Sequence, residues 1–338
     1  MLKKAVFALI NRALVPFRVE LVRRAEIEPL RDTFDRFPSS SQLREDSEVT
    51  EEIAKRRSRL EQLRSDYAKC GFQHSVWSKD LLEHDVPFDR FRADSAYVWQ
   101  QRDGNREINY VVDMYYLRAR DRLGLLDRLT EDGRFGAATV EIEGRLVSRD
   151  LLDSVSELLF LDRTIGLEGR ELSVLDIGAG YGRLAHRTVT AFPKISYFCT
   201  DAIPESSFLC EYYLDVRGVS GRAVVAPLHE LDTCLESKRI DLAVNVQSFS
   251  ECTLASICRW LDLVAQHRVP HLFIVPGRAP GQEDELLSRE TDLTRKPYTP
   301  ELEKRGYRLK IREPKHAEPR ILPYGASPVD YHLFELVS

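Results

Sequence analysis

The run Val174-Leu175-Asp176-Ile177-Gly178-Ala179-Gly180-Tyr181-Gly182-Arg183 constrains the fold more than any other part of the chain. Residues suited to a buried strand lead straight into three glycines at alternate positions, and the pattern beyond them is helical. Glycine reaches backbone conformations closed to other residues and carries no Cβ, so a ligand can approach main-chain N–H groups at a helix N-terminus. This is how a nucleotide-binding α/β unit opens. A dinucleotide fingerprint is spaced G-x-G-x-x-G, whereas here the spacing is G-x-G-x-G, with Asp176 two positions before Gly178.

Beyond the glycine turn the chain has the rhythm of a parallel sheet. The pattern predicts a helix over 184–192 and a second strand over 195–199 that closes on Asp201, nineteen positions beyond Gly182. An acid at the end of the second strand can accept from both hydroxyls of a ribose. A third strand over 223–226 breaks at Pro227-Leu228-His229, and a fourth over 241–246 ends on Gln247-Ser248-Phe249-Ser250-Glu251. Then come a helix over 254–266, a fifth strand over 271–275 stopped by Pro276-Gly277, and two β-rich runs, 307–312 and 330–337, that would pair antiparallel at the sheet edge. In such sheets the chemistry gathers at the carboxyl ends of the strands.

The glycine turn resembles motif I of the class I S-adenosylmethionine (SAM) methyltransferases, and the terminal strand pair resembles the end of that fold. The expected fold is therefore a Rossmann-like α/β methyltransferase sheet, with five parallel strands, a terminal antiparallel hairpin and a mostly helical N-terminal region. A narrower likeness covers roughly residues 95 to 338. It runs from Phe135 through Ser148-Arg149-Asp150-Leu151-Leu152-Asp153-Ser154, Leu175–Arg187, Asp201-Ala202-Ile203-Pro204-Glu205-Ser206, Asn245–Cys252, Trp260-Leu261-Asp262-Leu263-Val264 and Phe273-Ile274-Val275-Pro276, to the ending Ser327–Phe334. These segments resemble the sugar O-methyltransferases of surface-glycan and glycosylated natural-product pathways. Two positions depart from that pattern. Gly277 stands where asparagine is common, and His229 where an acid is common.

The resemblance implies SAM as cofactor and methyl transfer to a sugar hydroxyl, on a sugar or glycoside acceptor. Gly178, Gly180 and Gly182 would give the methionine portion its close approach with Asp176 fixing the turn, Asp201 would hold the ribose, and Ala202, Leu228 and Gln247 would complete the cofactor site. A sugar hydroxyl is a weak acid, so a base is expected. Glu251, after the fourth strand, ranks first, and His229 second, since its ordinary titration range suits proton removal. His84 with Asp85, His316 and His332 are further histidines within conceivable reach. Tyr97, Trp99, Gln100 and Arg102 combine an aromatic plane with hydrogen-bond donors, as a sugar-binding pocket would. No carboxylate and histidine cluster has metal-ligand spacing, so no metal is expected. Two alternatives stand beside this reading: a methyltransferase with a non-sugar acceptor, and a catalytically silent methyltransferase-like scaffold.

At 338 residues the chain can bury a large core, and the methyltransferase fold needs about half of it. The boundary is expected near residue 165, with a helical acceptor or cap region over 1–165 and the SAM-binding domain over 166–338. A net charge of −5, from 49 basic and 54 acidic residues, argues against a general nucleic-acid binder. Six cysteines without a C-x-x-C pair suggest reduced thiols and a cytoplasmic protein. Residues 1–24 are different. Lys3, Lys4, Arg12, Arg18, Arg23 and Arg24 alternate with apolar residues around Pro16, and the apolar run 5–10 is too short for a secretory core or a membrane span. Such a segment suits a contact with its own domain or with a second subunit of a homo-oligomer, and alternatively a weak peripheral contact with the inner membrane face.

The remaining N-terminal region reads as a linker at Pro38-Ser39-Ser40-Ser41, then a helix capped near Thr50 with Ile53, Leu60, Leu63 and Tyr67 on its apolar face. Its Lys55, Arg56, Arg57 and Arg59 read as a solvated face. A helix over 108–123, a hairpin turning at Glu143-Gly144 and a helix capped by Ser148 and ending at Ile165 complete it.

Overall fold

The computed structural model describes residues 47–72, 77, 88–93, 107–277, 285–324 and 328–337. Two consecutive helices, α1 (Ser47–Lys55) and α2 (Arg57–Tyr67), are followed by α3 (Glu107–Arg118) and the single turn α4 (Leu125–Arg128). The hairpin of β1 (Thr139–Ile142) and β2 (Arg145–Ser148) turns at Glu143 and Gly144, both at positive φ. Ser148 then caps the long α5 (Arg149–Ile165), its hydroxyl accepting from Leu151 N–H at 3.1 Å. Strand and helix alternate from there: β3 (Leu172–Ile177), α6 (Arg183–Ala191), β4 (Ile195–Thr200), α7 (Pro204–Val216), β5 (Ala223–Val225), α8 (Leu231–Glu236), β6 (Leu242–Val246), α9 (Leu254–Gln266) and β7 (His271–Val275). Then come α10 (Thr299–Lys304), β8 (Tyr307–Pro314) and β9 (Asp330–Leu336).

Strands β3 to β9 form one sheet in the order β5-β4-β3-β6-β7-β9-β8. The first five in that order run parallel, while β9 lies antiparallel between β7 and β8. The sheet is covered on both sides, so its inner strands are apolar nearly throughout and neighbouring residues serve opposite faces. Val174, Leu242 and Val244 join the apolar layer that also holds α5, α6, α7 and the α2 residues Leu60, Leu63 and Tyr67. Leu175, Ile177 and Ala243 face the other layer, with Leu231 and Leu235 of α8, Ile257, Trp260 and Leu261 of α9, and Leu302 of α10. The strand order reverses between β3 and β6, which opens a crevice at their carboxyl ends.

The N-terminal elements differ from expectation in three places. The helix expected from Thr50 is two helices, broken at Arg56 (φ −95°, ψ 4°). The helix expected over 108–123 stops at Arg118, and Asp121 instead caps the next turn by accepting from the N–H groups of Leu125 and Leu126 at 2.9 and 2.7 Å. The basic face of α2 is not simply solvated. Arg56 pairs with Asp215 at 2.6 Å, Arg59 grips both oxygens of Glu211 at 3.0 and 2.6 Å, and Arg64 reaches Glu205 at 2.8 Å. Three acids spaced along α7 meet three arginines along α2, a match invisible until the helices lie side by side.

Beneath this, Arg92 is wholly buried and donates to Glu131 at 3.1 and 2.7 Å and to Asp150 at 3.2 Å, while Arg187 of α6 reaches Glu131 at 3.0 Å. Burial alone would push the Glu131 carboxyl upward, but Arg92 and Arg187 hold it well below the usual range. The cluster ties residues 88–93 to α5 and α6. Among the described residues, no helix is long and apolar enough to cross a membrane.

Candidate active site

The wall of the crevice at β3 and β4 is built from backbone. Gly178 and Ala179 donate their N–H groups to the Thr200 carbonyl at 2.8 and 3.2 Å, which locks the turn after β3 to the end of β4. Gly180 N–H donates to Asp201 Oδ2 at 3.1 Å and Ile203 N–H to Asp201 Oδ1 at 2.9 Å. Burial raises the Asp201 carboxyl to about 6, although these amides and Ser206 pull the other way.

The three glycines have different work. All lie at positive φ, 76°, 56° and 86° for Gly178, Gly180 and Gly182. A Cβ added at Gly178 would sit 2.0 Å from Ser248 Oγ, and one at Gly182 would sit 2.8 Å from Cys210 Sγ. Two of the three thus admit the protein's own side chains. Asp176, before the turn, accepts from the Tyr197 hydroxyl at 2.9 Å, and burial raises its carboxyl to about 7 against that bond.

The opposite wall, at β6 and β7, is assembled from side chains. Asn245 donates to the Ile177 carbonyl at 2.8 Å and to Ser248 Oγ at 3.0 Å, and its own oxygen accepts from Phe249 N–H at 3.1 Å. The strand then turns sharply at Gln247, an exposed non-glycine residue at φ 67° whose N–H donates to the Val275 carbonyl at 2.7 Å. Non-glycine residues held at positive φ are uncommon and gather where surrounding structure over-determines them. Gly277 N–H donates to Ser250 Oγ at 2.7 Å, and an added Cβ there would lie 2.9 Å from Ser250 Cβ.

Glu251 ends the short turn Ser248–Glu251 that follows β6. Burial is the main cause lifting its carboxyl to about 7, helped by Asp201 and opposed by the Trp77 hydrogen bond and by Arg289. The Trp77 indole Nε1–H donates to Glu251 Oε2 at 2.8 Å. A carboxyl poised near neutrality at the end of a central strand is suited to take a proton.

At the β5 end, Leu228 N–H donates to the Tyr67 hydroxyl at 3.0 Å, and that hydroxyl also shares a hydrogen bond with Ser207 Oγ at 2.8 Å. Ala202, Leu228 and Phe72 pack into one apolar layer. His229 lies edge-on to Tyr67 and within 3.7 Å of Asp66 and 3.3 Å of Glu230. From Tyr67 the chain passes to α9, where Arg259 donates to the carbonyls of Gly71 and Cys70 at 2.8 and 2.9 Å and Phe72 packs on Trp260 at 4.7 Å. It then reaches Glu251 through Trp77.

Asp176, Gly178, Gly180, Gly182, Asp201, Gln247 and Glu251 therefore all stand at the carboxyl ends of β3, β4 and β6, around the crevice. Ala202 and Leu228 lie along its β4 and β5 flank. His229 follows β5, two strands from β3 in the sheet, and its described partners belong to α2 and to its own turn. His316 is buried against Asp113 at 3.0 Å, and His332 is buried in β9. Tyr97, Trp99, Gln100, Arg102, His84, Asp85 and the segment 1–24 lie outside the described residues. Sequence reasoning missed Tyr67, Trp77, Asn245 and Ser248. For Asn245 and Ser248 a signal existed, since polar residues ending an apolar strand beside a glycine turn are out of place unless they bond something.

Among the described residues, no group of three or more His, Cys, Asp and Glu side chains is placed to hold a metal ion. The sheet order and the crevice at its reversal define the class: a Rossmann-like α/β fold of the class I methyltransferase type. No family model matches the chain, and no curated protein matches it in sequence. Among solved structures it is similar to the mitomycin 7-O-methyltransferase MmcR, with 19% identity, a TM-score of 0.37 and 49% of each chain covered, so the match spans about half of that protein. It is also similar to a SAM-dependent methyltransferase from Aquifex aeolicus, with 15% identity over 54% of this chain and 89% of that one and a TM-score of 0.38. A third is the magnesium protoporphyrin IX methyltransferase ChlM from Synechocystis PCC 6803 with bound SAM, at 11% identity over 68% of this chain and 98% of that one, TM-score 0.39. The strand order itself, rather than these distant likenesses, carries the fold class.

Proposed function

We propose that this chain binds SAM and methylates a hydroxyl group of a sugar, carried on a nucleotide, a surface glycan or a glycosylated natural product. The observation that carries catalysis is Glu251, which ends the turn after β6, accepts from the Trp77 indole at 2.8 Å and has its carboxyl raised to about 7 by burial. The residues fit the cofactor. Asp201 has oxygens suited to ribose hydroxyls and is held by backbone N–H groups at the crevice edge, Ala202 and Leu228 offer an apolar flank for a base, and Gly180 and Gln247 border the crevice between them. Bound SAM would supply an electrophilic methyl group. Glu251 accepts the proton of the acceptor hydroxyl as the oxygen becomes nucleophilic, a role typically worth about 10²–10⁴-fold in rate. The crevice holds the reactants in line, for which roughly 7–11 kcal/mol is available.

Sugar as the acceptor rests on the sequence resemblance. The test is calorimetry for SAM binding, then release of S-adenosylhomocysteine with a panel of nucleotide sugars, glycosides, phenols and amines. Turnover confined to phenols or amines would replace the sugar by another acceptor. Failure to bind SAM at all would leave the silent scaffold.

A further inference from the structure

Tyr67, at the end of α2, meets Leu228 beside the crevice, and Trp77 meets the carboxyl on which the proposed reaction depends. We infer that Trp77 is a positioning residue for Glu251: its indole N–H holds Oε2 at 2.8 Å and so sets the orientation and proton affinity of the base. This rests on Glu251 acting as that base.

Three observations converge on it. Tryptophan has a single hydrogen-bond donor and no acceptor, so the contact has one polarity: it favours the carboxylate and can only lower the pKa of Glu251. The described residues before Trp77 in the chain are fastened to α9, with Arg259 on the carbonyls of Cys70 and Gly71 and Phe72 against Trp260. Glu251 comes after a strained strand end, Gln247 at φ 67°, and a turn packed under Gly178 and Gly277 by Ser248 and Ser250. A short turn of that kind gives the backbone of Glu251 a fixed place and leaves its side-chain torsions to be chosen by whatever meets the carboxyl. Among the described residues, ionisable groups felt by Glu251 include Asp201 at the end of β4, Arg289 in the segment before α10, and its neighbour Cys252, itself buried. Asp201 raises the carboxyl and Arg289 lowers it, both through charge. Trp77 supplies a directional contact.

The test begins with a measurement that needs no methyl transfer. The full chain contains three tryptophans, so ¹⁵N-labelled indole groups give three signals. One of them is expected to shift with pH along a single titration with a midpoint near 7, as Glu251 does, and Glu251→Gln should displace that signal and abolish its titration. If no indole signal responds to Glu251→Gln, the contact is absent and the inference is overturned, whatever the chain's activity. The second arm is the pH profile of kcat/KM for Trp77→Phe. Without the N–H the base should protonate more readily, so the acidic limb moves to higher pH and the loss of activity is greater near pH 6 than near pH 9, with SAM affinity within about twofold. A loss equal at every pH, with the limb unmoved, would reduce Trp77 to packing and overturn the positioning role. Should no acceptor be methylated by the wild type while the indole signal still titrates with Glu251, it is the proposed reaction that fails and the Trp77 contact that stands.

Discussion

The two walls of the crevice are held by different means. At β3 and β4, backbone N–H groups meeting Thr200 and Asp201 hold the turn together within a short stretch of chain, and Ser248 and Cys210 fill the space beside Gly178 and Gly182. At β6 and β7 they come from side chains, and Glu251 is met by a tryptophan 174 positions away in the chain. A backbone-built wall depends on having no Cβ in the way. A side-chain-built wall depends on single groups, two of which, Asn245 and Ser248, also brace the β3 turn at Ile177 and Gly178.

The largest expected effect falls on the assembled wall. Glu251→Gln should lower turnover by roughly 10²-fold or more and leave SAM affinity within about twofold, read by steady-state rates and calorimetry. Equal losses of binding and rate would mean that the walls are not separable. The counterpart on the backbone wall is Gly178→Ala. Its Cβ would lie 2.0 Å from Ser248 Oγ at φ 76°, an overpacking worth about 1–3 kcal/mol of stability, with SAM affinity falling beside it. The Ser248→Gly companion should recover part of it. A Gly178→Ala protein with wild-type Tm and affinity would show that the turn yields freely.

A smaller effect comes from Asp176. Its carboxyl is raised from 3.8 to about 7 by burial, so the native chain retains a proton that the unfolded chain releases above pH ~4. The residue's contribution to stability is then fully present below the unfolded value and is lost as pH rises through about 7. Asp176→Asn keeps an acceptor for Tyr197 and has no proton to lose, so its urea midpoint should gain on the wild type between about pH 5 and pH 8. A constant difference would show that Asp176 carries no such burden. The smallest effect is that of Tyr67→Phe, which takes the partner from Leu228 N–H and should cost about 1 kcal/mol. Faster hydrogen exchange at the Leu228 amide would report it, and an unchanged rate would mean that Tyr67 does not hold that amide.

The backbone wall was legible because its determinants are consecutive. Glycines at alternate positions after an apolar strand, and Asp201 closing the next strand, announce themselves in one short stretch, and the order of strands and helices comes from period and length. The assembled wall was legible in part. Glu251 stood out as an acid after a central strand, but nothing near it in the chain pointed to Trp77. Arg56 and Arg59 were misread for the same reason, since they look solvated until Asp215 and Glu211 are placed beside them.

By itself, then, the sequence determined the alternation of strands and helices, the glycine turn and the acid that closes β4, because hydrophobic period and glycine spacing act over a few residues. Tertiary structure alone decided which side chains fill the space the glycines leave, which acids the α2 arginines meet, and how far Asp176, Asp201 and Glu251 are pushed from ordinary acidity. Those outcomes depend on burial and on distances between residues far apart in the chain, and neither exists before the sheet has closed.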